Sequence, residues 1–493
     1  MSNKVRVRVL LGAMMFFQYA AWGAWAPVLG ATLGSPDGVF KATGTVIGAI
    51  FGILWLACIV VPFIGGQLVD RKVPGQLYMG VSGLVCAVSA WMMAGQDKVG
   101  DLVGGLIPVG GLGLWLVVWS VAFAPTIGIG NSMCLHHLGQ ETPGQESTSS
   151  NGKTAFTIAG VVLGLATAGA NQFFWNLAAF ANVTLTSVFF LALSVLAAVT
   201  AYKLVHAPDA DGAFSAMRTM GTIAWVVVAF VVSWAKTSLP NLPVSEMAVA
   251  AIAGLFWAVL SFLVPHTPPN KTAPDPWAFL KAFELFKKVP GFTAFILISL
   301  VASAEFQFFY TLSGQFLGSL GIPEPQIAPF KASSQLAEIL ALAVLLPICL
   351  RKFGMRTTLV LGTVAWSLRY FVFATKLVVP VIASLTLHGV GFAFVFITSY
   401  FYIDRVAPKD IRGSAQSLFT LVTLGIGNYL GSVLSGKLQD GFTKTVNGAP
   451  VVDWPMVFLV PAVLTLLSAI AFGVTFKEPK GDSGETGGKL PAH

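Results

Sequence analysis

Gln335 and Glu338 stand one helical turn apart in a stretch, Ala332 to Leu350, that is otherwise almost wholly apolar and long enough to cross a bilayer. A carboxylate at that depth costs at least about 2.5–3.5 kcal/mol on insertion scales, so such a group is paired, protonated or turned toward a polar cavity. It marks a transport pathway by default. Other polar side chains recur at helical spacing in apolar surroundings: Arg218, Thr222 and Trp225 share one face, as do Gln307 and Tyr310. Amides donate and accept hydrogen bonds at once and aromatic rings stack on flat groups, so these residues together suit a small polar solute. A carboxyl in a low-dielectric cavity can also pick up a proton. Glu338 is therefore the first candidate for proton coupling, Arg218 its counter-charge and Glu305 a second candidate. The residues leave alternatives open: Glu338 only hydrogen-bonding the solute, Arg218 snorkelling to the surface, Glu305 paired structurally with Arg369, and His388 simply packed in its helix.

Positioning such groups requires many spans, and composition supplies them. Of the 493 residues 55% are hydrophobic and only 10% charged, with a mean hydropathy of +0.78. Apolar runs of about 18–25 residues recur along the whole chain, and only helices satisfy their own backbone groups in a bilayer with so little polar help. The expected spans are 9–33, 44–69, 76–96, 104–134, 155–175, 183–204, 213–235, 247–264, 290–318, 332–350, 357–375, 378–402, 413–436 and 454–476, about fourteen in all. Lys4, Arg6 and Arg8 precede the first, which reads as a retained helix rather than a signal peptide. Basic residues collect in alternate loops (Arg71 and Lys72; Lys271, Lys281, Lys287 and Lys288; Arg351, Lys352 and Arg356; Arg405, Lys409 and Arg412). The intervening loops carry mostly single lysines such as Lys41, Lys98, Lys236 and Lys376. By the positive-inside rule both termini are then cytoplasmic. The net charge of +8 reports this orientation and not nucleic-acid binding.

Cys58, Cys86, Cys134 and Cys349 lie in or beside apolar spans without CxxC spacing, so neither metal nor disulfide is expected. No Gly-rich phosphate loop occurs, which argues against direct ATP drive from this chain, and no cofactor signature appears. Pro265 to Lys288 is the longest charged connection. It divides the chain into an N-terminal bundle (1–264, including an extra hairpin at about 154–205), a cytoplasmic linker (265–288), a C-terminal six-helix bundle (289–478) and a tail (479–493). Trp277, Phe279, Leu280, Phe283 and Phe286 could lay an interfacial helix of that linker on the bilayer.

Two helical halves joined by a basic linker resemble a major facilitator-type transporter, with its site at the midplane between bundles. Gly66-Gln-Leu-Val-Asp70-Arg71 matches the GxxxD[RK] loop of that superfamily, a conformational latch, and Arg351-Lys-Phe-Gly354-Met-Arg356 looks like its degenerate copy. Further segments occur in order: Gln18-Tyr-Ala-Ala-Trp22-Gly23-Ala-Trp25, Arg218-Thr-Met-Gly221-Thr222-Ile-Ala-Trp225, Ala304-Glu305-Phe-Gln307, Ser334-Gln335-Leu-Ala-Glu338, Ala365-Trp366-Ser-Leu-Arg369, Arg412-Gly-Ser414-Ala-Gln416 and Asp453-Trp454. Together they resemble the bacterial nucleoside:proton symporter family. The resemblance implies substrate contacts at Arg218, Thr222, Trp225, Gln307, Tyr310, Gln335, Glu338 and Phe392, and proton-driven import through the inner membrane by a monomer. Three departures stand out. Ala393 follows Phe392 where the family has an acid, Tyr310 replaces an Asn, and residues 139–212 hold two apolar runs beyond the family's usual twelve spans. The missing hydrogen-bond partners leave room for a modified nucleoside, a sugar or glycoside, or another small polar solute.

Overall fold

The computed structural model describes residues 3–104, 107–140, 183–207, 209–269, 278–408 and 411–478. The expected span at 155–175 lies outside them. The fold is helical almost throughout: α1 (Asn3–Gly23), α2 (Leu29–Gly34), α3 (Gly44–Arg71), α4 (Gly75–Ala94), α5 (Gly111–Phe123), α6 (Thr126–Gly139), α7 (Val183–His206), α8 (Ala210–Ser238) and α9 (Ser245–Leu263) precede the linker. After it come α10 (Phe292–Ser319), α11 (Glu324–Leu340), α12 (Leu346–Ala374), α13 (Val378–Ser384), α14 (Thr386–Phe392), α15 (Thr398–Val406), α16 (Arg412–Thr420), α17 (Asn428–Gly441) and α18 (Trp454–Thr475). Among the described residues, 10 continuous helices are long and apolar enough to cross a membrane.

One of those ten, Glu324–Ala374, runs for 51 residues. At 1.5 Å per residue it would reach about 75 Å, more than twice a bilayer core. It is in fact two spans. Gly354 has φ 75°, a conformation other residues adopt only under strain, and a kink there separates two helices. Glu478 accepts from the Arg356 N–H at 3.0 Å, capping the helix that restarts. The Arg351 to Arg356 segment is thus the turn between these two spans.

In a bilayer apolar side chains gain little by leaving lipid, so tight packing and buried polar contacts hold the helices together. Arg8 is an example. It is 1% exposed, and its guanidinium donates to the Ala207 carbonyl at 2.9 Å, fastening α1 to the chain between α7 and α8. Across the middle of the molecule α3 packs on α17, α8 on α11 and α2 on α10. These pairings form the seam between the helices before the linker and those after it.

Three spans of the second half contain one wide π-type turn each, at Ala341–Leu345, Ala393–Ile397 and Leu421–Gly427. Such turns break the regular ladder and collect at functional positions. Two short β-hairpins also occur, one pairing Asp101–Val103 with Ile107–Val109, the other Thr443–Val446 with Ala449–Val452. In the second, Asn447 and Gly448 both take positive φ, 50° and 80°, as a tight two-residue hairpin turn requires.

Candidate transport site

The halves are tied together at one end of the seam. Lys236, late in α8, has its side chain 7% exposed and meets Glu246 at 2.8 Å and Glu324 at 2.6 Å. It also donates to Thr32 at 2.9 Å, and Thr32 donates to Glu246 at 2.5 Å. Glu324 belongs to the second half and the other three residues to the first, so the cluster bridges them. Close by, Asp440 at the end of α17 accepts from the Gly44 and Thr45 N–H groups at 2.7 and 2.8 Å. An acid there both caps α3 and complements its dipole. Lower in the seam, the Lys331 ammonium donates to the Pro27 carbonyl at 2.8 Å.

Among the described residues, every side-chain hydrogen bond or ion pair between the halves lies toward this end. At the opposite end of α3, Asp70 and Arg71 make no hydrogen bond or ion pair among the described residues. These two residues close the 66–71 segment at the end of α3. A cleft of about 410 Å³ lies beside it, lined by Pro62, Asp70, His136 and Thr267. That cleft is separate from the polar residues whose spacing pointed to a shared cavity.

Those residues gather across the seam. Arg218 is on the exposed face of α8, the helix that packs on α11 of the opposite half. Thr222 and Trp225 continue along α8, both half-buried. Trp225 sits edge-on to Trp22, with centroids 5.2 Å apart, and to Tyr310 at 6.1 Å. An aromatic wall therefore runs from α1 through α8 to α10. Trp25, by contrast, is 1% exposed and packs edge-on to Trp119, a core role.

From the second half, Gln307 is 1% exposed with its side-chain oxygen unpartnered, and Gln335 accepts from the Ser334 hydroxyl at 3.0 Å. Glu338 is half-buried on α11, one turn beyond Gln335. Gly389 makes this approach possible. A Cβ there would fall 2.0 Å from the Ser334 carbonyl oxygen and 2.4 Å from the Glu338 nitrogen, so α14 rests directly on the α11 backbone. Phe392 packs on Phe306 and Phe396 and borders the group.

The Glu305–Arg369 pair does not form. Glu305 is 2% exposed and faces α18, where the Thr465 hydroxyl donates instead to the Pro461 carbonyl, and neither carboxylate oxygen has a partner. Arg369 faces α14. Its Nη1 meets the Nδ1 of His388, and its plane lies against the rings of Phe309 and Tyr370, 4.7 and 4.4 Å from their centroids. His388 is more than an isolated packing residue, being stacked on Phe306 and Phe309 as well.

Spacing could have revealed one residue that sequence reasoning passed over. Lys331 precedes Gln335 by four positions and Glu338 by seven, and so shares their face of α11, yet it fell just outside the apolar stretch. Lys236 and Glu324 carried no such signal, since their partners lie 10 to 292 positions away.

Two helical halves meeting along a polar seam, tied together at one end and, among the described residues, free of side-chain bonds between them at the other, define a major facilitator-type transporter. The family model described as nucleoside H+ symporter matches residues 1–191 and 152–481. The chain belongs to that family, whose members are transporters and not enzymes. It is 26% identical over 497 residues to the xanthosine permease of Escherichia coli strain K12, covering 97% of this chain and 96% of the relative. It is 23% identical over 496 residues to the nucleoside permease NupG of the same strain, covering 97% and 96%. The crystal structure of the nucleoside transporter NupG superposes with a TM-score of 0.69 at 21% identity, over 97% of this chain and 100% of that one. A D-xylose-proton symporter shares the fold with a TM-score of 0.56 at 14% identity, over 96% and 97%.

Proposed function

We propose that this chain carries nucleosides inward with protons by alternating access, through a site where Arg218, Thr222 and Trp225 of one half face Gln307, Tyr310, Gln335, Glu338 and Phe392 of the other. The observation that carries this reading is geometric. Trp225 of the first half sits edge-on to Tyr310 of the second, with centroids 6.1 Å apart, where α8 packs on α11, so the two halves meet at one site. Trp225 and Tyr310 supply flat faces for a base, and Gln307 and Gln335 supply amides for its edge and the ribose hydroxyls.

In this reading Glu338 takes a proton from outside when the seam is open there. Substrate binding closes the Lys236–Glu246–Glu324 end, and the proton leaves as the opposite end opens, with Arg218 stabilising the carboxylate left behind. Glu305, buried and unpartnered, is the second proton carrier. Asp70 and Arg71 engage when the inner end shuts. Both termini are cytoplasmic, and the transporter works as a monomer in the inner membrane.

The test is uptake of labelled uridine and adenosine into proteoliposomes with and without an inward proton gradient, for the wild type and Glu338→Gln. Gradient-driven accumulation lost in the variant, with nucleoside exchange retained, is the expected result. Accumulation unchanged in the variant refutes the proton role, and competition by hexoses instead of nucleosides refutes the substrate.

A further inference from the structure

One buried amide takes no part in the contacts described so far. Asn428 opens α17, directly after the wide turn Leu421–Gly427, and is fully buried. Neither its side-chain oxygen nor its nitrogen has a hydrogen-bond partner among the described residues. A leucine of similar volume would fill the position without leaving a donor and an acceptor unpaired away from water. A buried amide kept in this state calls for a partner that the chain itself does not supply.

The direction of that amide follows from the packing of its helix. A Cβ at Gly431 would run into the Ala304 carbonyl, so α17 rests on α10 there. A Cβ at Gly48 or Gly52 would meet the Ser432 carbonyl or the Tyr429 ring, so α17 also rests on α3, which belongs to the opposite half. Asn428 stands three positions before Gly431 and four before Ser432, and therefore shares the face that points between α10 and α3, into the seam. Leu430 and Leu434, 39% and 52% exposed, mark the outer face of the same helix. Beside Asn428, Gly427 lies against the Ser303 side chain, and Gln307 is one turn further along α10. The Ser303 hydroxyl and the Gln307 side-chain oxygen are likewise buried and without partners among the described residues. Three unpartnered polar groups thus stand at neighbouring levels where α10 meets α17.

We propose that Asn428 is a further substrate-binding residue, whose amide pairs with the vicinal hydroxyls of a ribose. An amide oxygen accepts from one hydroxyl while its N–H donates to the next, so a diol satisfies both atoms at once. The order of residues around α10 assigns this amide to the sugar. Ala304, on which α17 rests, and Tyr310, which meets Trp225, are six positions apart and point about 120° from one another, with Gln307 midway between them. A base held against Tyr310 and Trp225 therefore extends its sugar past Gln307 toward α17. The inference rests on the nucleoside reading given above and adds a contact to it.

Binding of uridine and 2′,3′-dideoxyuridine to the purified transporter tests it, in the wild type and in Asn428→Leu. The two ligands share a base and differ only in the vicinal hydroxyls. The wild type should prefer uridine. In Asn428→Leu the affinity for uridine should fall about fivefold, the scale of one neutral hydrogen bond, while that for dideoxyuridine stays as it was. Asn428→Ala gives the same comparison if leucine does not fit. Affinities that change together, or not at all, overturn the inference, because a packing role does not distinguish the two ligands. A wild type that binds both equally overturns it without any variant. Binding of neither ligand overturns the nucleoside reading and this inference with it.

Discussion

Replacing Glu324 by Gln should loosen one end of the seam without unfolding either half. In the Lys236 cluster the two acids are not equivalent. Glu246 has a fully buried side chain and shares the first half with Lys236, whereas the Glu324 side chain is 38% exposed and lies across the seam. The Lys236–Glu324 bond is therefore partly screened and is worth about 1 kcal/mol to the closed conformer. Losing it changes the ratio of closed to open forms about fivefold. Lys236→Met is a harsher change, because it leaves Glu246 buried with no cation, a loss of about 3–5 kcal/mol that falls on the fold of the first half as well as on closure. Distances between spin labels at Val39 and Val379, 59% and 72% exposed in opposite halves, report the opening, and thermal unfolding in detergent reports the fold. Glu324→Gln should broaden the label distances toward longer values with little change in melting temperature, while Lys236→Met should lower the melting temperature by several degrees. If Glu324→Gln lowers the melting temperature as much as Lys236→Met and leaves the distances unchanged, the cluster is a staple of the fold and the gating argument fails.

Other substitutions probe the remaining supports. Asp440→Asn keeps a capping side chain but removes its charge from the α3 N-terminus, and should cost about 0.5–1 kcal/mol of stability, read as a lower melting temperature. Gly389→Ala drives a methyl into the α11 backbone beside Glu338, so transport should be lost even where protein reaches the membrane; uptake at wild-type rates would show that α14 can slide away without consequence. Trp225→Ala removes the face between Trp22 and Tyr310 and should weaken nucleoside binding by about 1–3 kcal/mol, measured by competition against labelled uridine.

How legible all this was in the sequence depends on the range of the interaction. Spans declare themselves because a bilayer demands about twenty apolar residues in a row, and that is a local property. The face shared by Gln335 and Glu338 is legible for the same reason, since helical geometry converts spacings of three, four and seven into adjacency. The same arithmetic would have added Lys331 had the apolar run not been taken as the limit of the helix, which α11 extends back to Glu324. Long-range pairing has no such signature. Lys236 resembled the other single loop lysines, and only the folded seam shows it caught between Glu246 and Glu324. Glu305 and Arg369 are the converse case. Two opposite charges deep in neighbouring spans invited pairing, but α10 turns the acid toward α18 while α12 turns the guanidinium toward α14. Charge type and depth can be read from the chain, but direction around the helix bundle is set by the packing of every other span. That is why the sequence pointed to a polar cavity and a proton carrier, while the tied end of the seam and the unpartnered Asn428 amide emerged only from the fold.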